Sequence, residues 1–214
     1  MSQMRKPNES EKPLRKRQHS EQRRADLVRI AYGLIASNGL EGFRTRQIAE
    51  AAGIDTGTLH YHFPSKEAII QGVVNHLVTD FQINRVATHS KPANALEWLR
   101  NEIHDVALRV QQSPKQFRVL IDLRVHALRQ PAIATILEKQ DRVFHSLLVS
   151  LLSQGINEKV FRPDIDLDLT AAVLKTQLIG LSFMALQKPA RTDKLAAMLC
   201  SQIESWLGLH PVSK

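Results

Sequence analysis

Residues 45–66 read TRQIAEAAGIDTGTLHYHFPSK and divide into two short helical patterns separated by a turn. Thr45 is a suitable N-cap for the first helix, whose small apolar face includes Ile48 and Ala49. Gly53 can adopt the left-handed conformation that ends a helix. The first helix is therefore predicted to stop at Gly53, and the chain then turns.

The second helical pattern begins at Asp55 or Thr56. Leu59 and Phe63 lie four residues apart in it, so both side chains are predicted to face inward. Ser65 is expected to cap the helix that follows. Two helices joined by a turn that contains glycine form a helix-turn-helix, whose second helix can enter the major groove of DNA. The spacing therefore predicts a unit that binds double-stranded DNA.

Positive charge is concentrated in the same part of the chain. The protein carries 29 Lys and Arg residues against 21 Asp and Glu residues, a net charge of +8. Residues 1–66 hold 12 basic and seven acidic residues, whereas residues 67–214 hold 17 and 14. This asymmetry favours a polyanionic partner for the N-terminal third, although charge alone leaves ordinary solubility as an alternative.

Three regions follow from composition and pattern. Residues 1–18 are polar with two prolines and are predicted to be a disordered basic arm, which either contacts DNA or is an uninvolved tail. Residues 19–66 are predicted to be the DNA-binding domain, and residues 67–214 a larger C-terminal domain. The helix that starts at Lys66 is too long for the small domain alone and is expected to continue into the second.

Helical spacing continues to the C-terminal region, and no strand alternation is found. The sequence is therefore predicted to be all-α. The helix over residues 167–186 is apolar around much of its circumference, so it needs cover on more than one side. A second copy of the chain could supply that cover. Helices are predicted over residues 20–38, 66–88, 92–112, 114–129, 131–154, 167–186 and 191–207.

Several classes of protein are disfavoured. Cys200 is the single cysteine, so an intrachain disulfide is impossible and a cytoplasmic location fits. No apolar run is expected to reach the roughly 18 residues that span a bilayer, so no membrane partner is predicted. The sequence contains no G-x-S-x-G motif, P-loop, paired catalytic carboxylates or convincing metal-ligand spacing. We therefore predict no enzyme activity, no catalytic residue, no metal and no cofactor.

Residues 20–70 resemble the TetR family of bacterial transcriptional regulators. The resemblance is carried by Gly39, Phe43, the segment TRQIAEAAGI at 45–54 and above all TLHYHFPSKE at 58–67, where the family commonly reads TLYYHFxSKE. It implies about nine helices, a homodimer formed through the last two, and an effector cavity inside helices four to seven. The expected function is a repressor that a small molecule releases from a palindromic operator.

The residues predicted to bind DNA lie on two helices. Thr56, Gly57, His60 and Tyr61 fall on the side of the second helix that faces away from Leu59 and Phe63, where they can reach bases or phosphates. At the start of the preceding helix, Thr45 and Arg46 suit a phosphate and a guanine. The family resemblance implies contacts with the DNA backbone for three further residues: Thr58, His62 and Lys66.

Two positions depart from the family pattern. His60 stands where the family usually has tyrosine, and Arg44 stands where serine or threonine is common. Both belong to the predicted DNA-binding set. The part of the operator that these two residues would recognise therefore cannot be inferred from the family.

The effector is predicted from polar residues on mostly apolar helical faces. Arg124 is spaced to point into the C-terminal core, where it would pair with a carboxylate of the protein, such as Asp122 or Asp105, or with one of a ligand. Four further candidates are His76, Trp98, His104 and Gln177, each of which is alternatively a surface or core residue. A second hypothesis remains open, in which the C-terminal half binds a protein partner and no small effector.

Overall fold

The computed structural model of the chain describes residues 11–88 and 92–208, with side chains described at 18–81 and 92–208. Over these residues the chain forms nine α-helices and no strand, which confirms the all-α prediction. The helices are α1 Glu11–Gly42, α2 Thr45–Ala52, α3 Thr56–His62, α4 Lys66–Thr88, α5 Ala95–Gln112, α6 Pro114–Ala127, α7 Pro131–Asn157, α8 Leu167–Gln187 and α9 Thr192–Leu207.

The chain divides into two compact units, of which the first ends at His76 and the second begins at Leu77. The division lies inside α4, later than the boundary predicted after Lys66. The first turns of α4 belong to the first unit because Ile69, Ile70 and Val73 are buried there. Gly72 permits this packing, since a Cβ at that position would lie 2.7 Å from Cγ2 of Val28 on α1.

Helix α1 begins earlier than the sequence predicted. Residues 1–10 lie outside the described residues, but residues 11–18, expected to be part of a disordered arm, are helical. Pro13 lies in the first turn, where its missing N–H has no intrahelical partner to lose. Leucine, arginine, lysine and glutamine follow it, and all four are strong helix formers. The predicted arm is therefore corrected at its C-terminal end.

The other end of α1 follows the prediction. Gly39 interrupts the regular helical conformation with φ 69° and ψ 169°. Residues other than glycine rarely adopt this backbone conformation. After the interruption the chain places Leu40 and Phe43 in the core of the first unit, with 2% and 0% of their surface exposed. Gly39 therefore directs the chain from α1 into the helix-turn-helix.

The second unit is a helical bundle in which α8 packs against α5, α6, α7 and α9. Helix α5 begins at Ala95 rather than at the predicted Pro92, because the side chain of Asn94 caps it by accepting a hydrogen bond from the amide of Glu97. The core of this unit includes Leu99, Ile103, Val106, Val110, Leu148, Leu152, Phe161, Leu174, Leu178 and Ile203.

Helix α8 contradicts the prediction that no apolar run reaches the length that spans a bilayer. An 18-residue window of this helix has a mean hydropathy of 1.5, which by length and composition is enough to cross a bilayer. Core helices of proteins that never enter a membrane pass the same test, and Ala171, Leu174 and Leu178 of α8 are buried inside the bundle. The high hydropathy of α8 therefore reflects packing partners on several sides.

Candidate nucleic-acid interface

Helix α2 begins one residue away from the predicted cap. Arg44, not Thr45, occupies the N-cap position, and its amide donates to Oε1 of Gln47 at 2.9 Å. Thr45 is the first helical residue. The Arg44 guanidinium folds back toward the preceding turn, where Nη1 donates to the carbonyls of Glu41 at 2.5 Å and Phe43 at 3.1 Å. Glutamine at the third helical position therefore performs the capping that the sequence assigned to threonine.

The turn between the helices has the predicted geometry. Gly53 adopts a left-handed conformation, with φ 63° and ψ 37°. Its amide donates to the carbonyl of Glu50 at 3.2 Å, and the amide of Ile54 donates to that of Ala49 at 3.0 Å. These two bonds satisfy carbonyls at the end of α2 that have no partner within the helix. The turn therefore fixes the direction in which α3 begins.

Asp55 caps α3. Its carboxylate accepts hydrogen bonds from the amide of Thr58 at 2.8 Å and from the Thr58 hydroxyl at 2.7 Å. These bonds, the one from the amide above all, lower the pKa of Asp55 below its usual value. Gly57 fits beside this cap, because a Cβ there would lie 3.0 Å from Oδ1 of Asp55. Thr58, predicted to contact DNA, is thus engaged in capping.

The outer face of α3 carries the side chains that the sequence placed there. Leu59 and Phe63 are buried, with 2% and 1% of their surface exposed, and they hold the opposite face of the helix in the core. Tyr61 is 81% exposed, and its ring lies edge-on to that of His62 at a centroid distance of 5.2 Å. Thr56, Gly57 and His60 are exposed as well. The fold therefore brings four of the predicted DNA-binding residues onto one accessible helix face.

Like Arg44, the other two Arg and Lys residues of the predicted set have partners within the first unit. Nε of Arg46 pairs with Oε1 of Glu50 at 2.8 Å, although both side chains remain largely exposed. Lys66 is half-buried, and its Nζ donates to the carbonyl of Phe43 at 3.3 Å and lies 5.4 Å from the Phe43 ring centroid. Burial, followed by the charge of Arg44, lowers the pKa of Lys66. Lys66 therefore also supports the start of α4.

Sequence reasoning did not find the role of Arg24. Its Nη1 donates to the carbonyl of His62 at 2.8 Å, and its guanidinium lies 4.3 Å from the Phe63 ring centroid. The bonded residues are 38 positions apart in the chain, so no local spacing reveals the contact. The sequence shows Arg24 only as one of several basic residues on an exposed helix face.

Of the predicted effector residues, three have local structural roles. His76 belongs to the first unit, not to the C-terminal bundle, and its ring lies edge-on to Tyr32 at 5.7 Å. His104 is exposed, with Nε2 3.7 Å from Sγ of Cys200. Trp98 packs against the core of the second unit. These positions are explained by packing, and their ligand roles stay predictions.

Arg124 forms an ion pair with a different carboxylate from the two considered. Its Nη1 and Nη2 donate to Oδ2 and Oδ1 of Asp141 at 3.0 and 2.8 Å, an interaction that joins α6 to α7. Asp122, one of the two candidates, contacts His126 at 3.1 Å. Burial opposes ionisation of Asp141, but the hydrogen bonds and charge of Arg124 outweigh it, so the pKa of Asp141 is lowered. The geometry thus favours the internal ion pair over a ligand contact.

Gln177 and Arg109 are two of several residues in the second unit whose buried side-chain atoms have no hydrogen-bond partner among the described residues. Oε1 of Gln177, a predicted effector residue, is buried with no hydrogen-bond partner. Arg109, which the sequence reasoning missed, is 8% exposed and donates from Nη2 to Glu102 at 3.3 Å. Its Nε and Nη1 have no acceptor in the described part of the chain. Arg109 escaped notice because it flanks the apolar face of α5.

A groove of about 350 Å³ lies between α6 and α8 in the second unit. None of the five predicted effector residues lines it. Exposed Val125 and Phe183 contribute apolar surface, whereas Arg118 and Asp122 contribute charge. The complete lining comprises Arg118, Ile121, Asp122, Val125, Phe183, Leu186 and Gln187.

A capped recognition helix with an exposed polar face, joined to a larger helical bundle, defines a helix-turn-helix DNA-binding regulator. Residues 27–73 match the family described as "Bacterial regulatory proteins, tetR family". Residues 95–208 match the family described as "BetI-type transcriptional repressor, C-terminal". The two matches cover the helix-turn-helix and most of the second unit.

Known proteins resemble the chain over the same regions. The HTH-type transcriptional repressor KstR2 of Mycobacterium tuberculosis is 30% identical over 147 residues, which cover 69% of this chain and 73% of the relative. A TetR-family regulator from Rhodococcus sp. has a TM-score of 0.75 at 21% identity, covering 88% of this chain and 100% of that one. A regulator from Saccharomonospora viridis, solved in complex with choline, has a TM-score of 0.74 at 25% identity, covering 89% and 100%.

The chain belongs to the TetR family of bacterial transcriptional regulators. Its relatives are helix-turn-helix transcriptional repressors, and it is a DNA-binding regulator rather than an enzyme. Homodimers and a cytoplasmic location are typical of the family.

Proposed function

We propose that this protein is a cytoplasmic repressor that binds a palindromic DNA operator as a homodimer and leaves it when a small molecule binds the second unit. The observation that carries the proposal is the exposed face of α3, where Thr56, Gly57, His60 and Tyr61 stand opposite the buried Leu59 and Phe63. A rigid helix with this face fits the major groove.

The DNA contacts form a central set and a flanking set. His60 and Tyr61 would reach base edges and thymine methyl groups, and the exposed backbone at Gly57 would allow close approach. The flanking residues would bind phosphates, which fix the position of the protein on the duplex without reading sequence. The flanking set comprises Arg44, Thr45, Arg46, Thr58, His62 and Lys66.

Dimerisation through α8 and α9 is supported by apolar side chains that the bundle leaves uncovered. Leu169, Val173 and Phe183 of α8 are 62%, 37% and 44% exposed, and Met198 of α9 is 64% exposed. Their helical spacing places the three α8 residues on one stripe. Two recognition helices in such a dimer would bind successive major grooves, about 34–36 Å apart.

Operator binding is tested by fluorescence anisotropy with the duplex upstream of the protein's own coding sequence and a shuffled duplex of equal length. We expect the upstream duplex to bind at least about 1,000-fold more tightly, because specific complexes exceed non-specific ones by that factor or more. Affinity for both should fall steeply with salt. Equal affinity for the two duplexes would reject an operator in that region.

Release by an effector is tested by titrating compounds into the protein–operator complex at fixed salt. Choline is a reasonable first compound, since a regulator of similar fold was solved with it. An effector should lower operator affinity by about 5–150-fold, the usual range of coupling between two binding sites. Replacing Arg109 or Gln177, each with buried side-chain atoms that have no partner among the residues that the structure describes, should weaken that response. If the operator-bound protein instead binds another protein through the α6–α8 groove, the result would support the alternative, in which the second unit binds a protein partner and no small effector.

A further inference from the structure

Helix α3 ends in a contact supplied by a residue far away in the sequence. Arg24 on α1 donates from Nη1 to the carbonyl of His62, the last residue of α3, at 2.8 Å. The same guanidinium lies 4.3 Å from the ring centroid of Phe63, the residue that ends the helix. One side chain therefore engages both the last helical residue and the first residue beyond it.

The contact satisfies a requirement that α3 cannot meet by itself. The last four carbonyls of an α-helix lack partners within the helix, and α3 has only seven residues. A cation at the C-terminus also interacts favourably with the helix dipole. At the opposite end, the Asp55 carboxylate accepts two bonds from Thr58. The recognition helix thus has an acidic partner at its start and a basic partner at its end.

We propose that Arg24 is a positioning residue for DNA recognition. By holding the His62 carbonyl and covering the Phe63 ring, it fixes the C-terminal end of α3 against α1. His60 and Tyr61 lie within the last turn of α3, so their orientation depends on where that end is held. The proposal rests on the proposed function, in which α3 reads the operator, and it assigns Arg24 an action through α3 rather than through contact with DNA.

The neighbouring residue provides a matched control. Arg23 is exposed on the same helix turn and carries the same charge, and its side chain makes no hydrogen bond or ring contact found among the described residues. Arg23→Met and Arg24→Met therefore remove the same charge from neighbouring positions on α1. Only Arg24→Met removes the donor to His62, and its methionine can still cover Phe63.

Operator affinity is measured for both variants across a range of salt concentrations. We expect Arg24→Met to bind the upstream duplex about tenfold more weakly than Arg23→Met, and we expect the two variants to have the same salt slope. Equal affinities would overturn the proposal. A slope reduced by about one unit in Arg24→Met alone would indicate a direct phosphate contact and would also overturn it. Arg24→Lys keeps a cationic donor and should recover more than half of the loss on a logarithmic scale.

A second measurement separates this proposal from the proposed function. Amide hydrogen exchange in the DNA-free protein reports the stability of α3, including the 2.8 Å bond from the Phe63 amide to the Leu59 carbonyl. Exchange of the Phe63 amide should be several-fold faster in Arg24→Met than in Arg23→Met. Unchanged exchange would overturn the positioning role. A wild-type protein that does not prefer the upstream duplex would instead count against the proposed operator.

Discussion

Tyr61 combines a large ring with almost complete exposure. With 81% of its surface accessible, it contributes little to the core of the first unit. Leu59 of α3 and Phe63, which follows the helix, are buried, so the burial that stabilises the helix comes from one face while the other is available for binding. Substitutions on the two faces should therefore have separable effects on stability and on DNA affinity.

We expect Tyr61→Ala to weaken operator binding by about 1–3 kcal/mol, or roughly 5–150-fold, the range for a side chain that discriminates bases. Its melting temperature should stay within a degree or two of wild type, because an exposed side chain makes few stabilising contacts. Leu128→Ala is the control, since Leu128 is 85% exposed in the second unit, at the residue that follows the end of α6. Loss of operator affinity in Leu128→Ala to the same extent would contradict a specific role for Tyr61.

Among the helices, the ion pair between α6 and α7 is expected to contribute to stability. Arg124 and Asp141 are each 28% exposed and joined by two hydrogen bonds. The pKa of Asp141 is lowered from 3.8 in spite of burial, because Arg124 stabilises the ionised carboxylate. A lowered pKa means that the stabilisation is complete above the unfolded value and is lost as pH falls through the folded one.

Arg124→Ala should reduce the free energy of unfolding of the second unit by about 1.5–3 kcal/mol at pH 7, the range for hydrogen bonds to charged groups. The difference from wild type should shrink as pH falls below about 4, where the unfolded carboxyl becomes protonated. Urea unfolding at a series of pH values measures the loss of stability and its dependence on pH.

Arg142→Ala is the control, since the Arg142–Glu138 pair on α7 is 3.7 Å long and mostly exposed and should contribute less than about 1 kcal/mol. A pH-independent difference in Arg124→Ala would show that lost packing, not the ion pair, is responsible.

Residue spacing within single helices predicted much of the fold but not the hydrogen bonds and ion pairs between residues that are distant in sequence. Apolar periodicity located each helix, and Gly53, Asp55 and Ser65 perform the local roles expected of them. These features depend on residues within about four positions. The Arg24–His62 bond and the Arg124–Asp141 pair join residues that are distant in sequence, so their partners emerged only from tertiary packing.

The sequence also did not predict a tight packing contact in the second unit. Gly155 lies just beyond the helix predicted over residues 131–154, yet it is part of α7 and buried, and a Cβ there would approach the Phe161 ring to 2.0 Å. The carbonyl of Gly155 accepts from the amides of Val160 and Phe161 at 2.9 and 3.1 Å. The glycine is required because an aromatic ring occupies the space of its side chain, which no local pattern reveals.

At the scale of the whole molecule, the proposed dimer depends on the uncovered stripe of α8. We expect Phe183→Glu to weaken self-association at least about 100-fold, because the interface would bury a carboxylate without a partner at a cost of several kcal/mol. Sedimentation velocity over a dilution series measures the change. Operator affinity should fall together with dimer content, since two recognition helices contribute to one palindromic site.

Val143→Glu on α7 supplies the comparison for that experiment. Val143 is 59% exposed, more than Phe183, so the substitution adds the same charge to an apolar surface position outside the last two helices. The variant should remain dimeric. Dissociation of Val143→Glu, with a dimeric Phe183→Glu, would place the interface on a different surface from the one proposed.

The composition of α8 has a consequence for biosynthesis. This helix is as apolar as a membrane-spanning segment, and it leaves the ribosome after α5 and α7 but before α9. During translation it can therefore bury one side at once, whereas its remaining apolar surface stays uncovered until α9 is complete and, in the proposed dimer, until a second subunit binds. Newly made monomers should accordingly be the species most prone to capture by chaperones or to aggregation, and the yield of functional regulator should depend on how quickly subunits find each other.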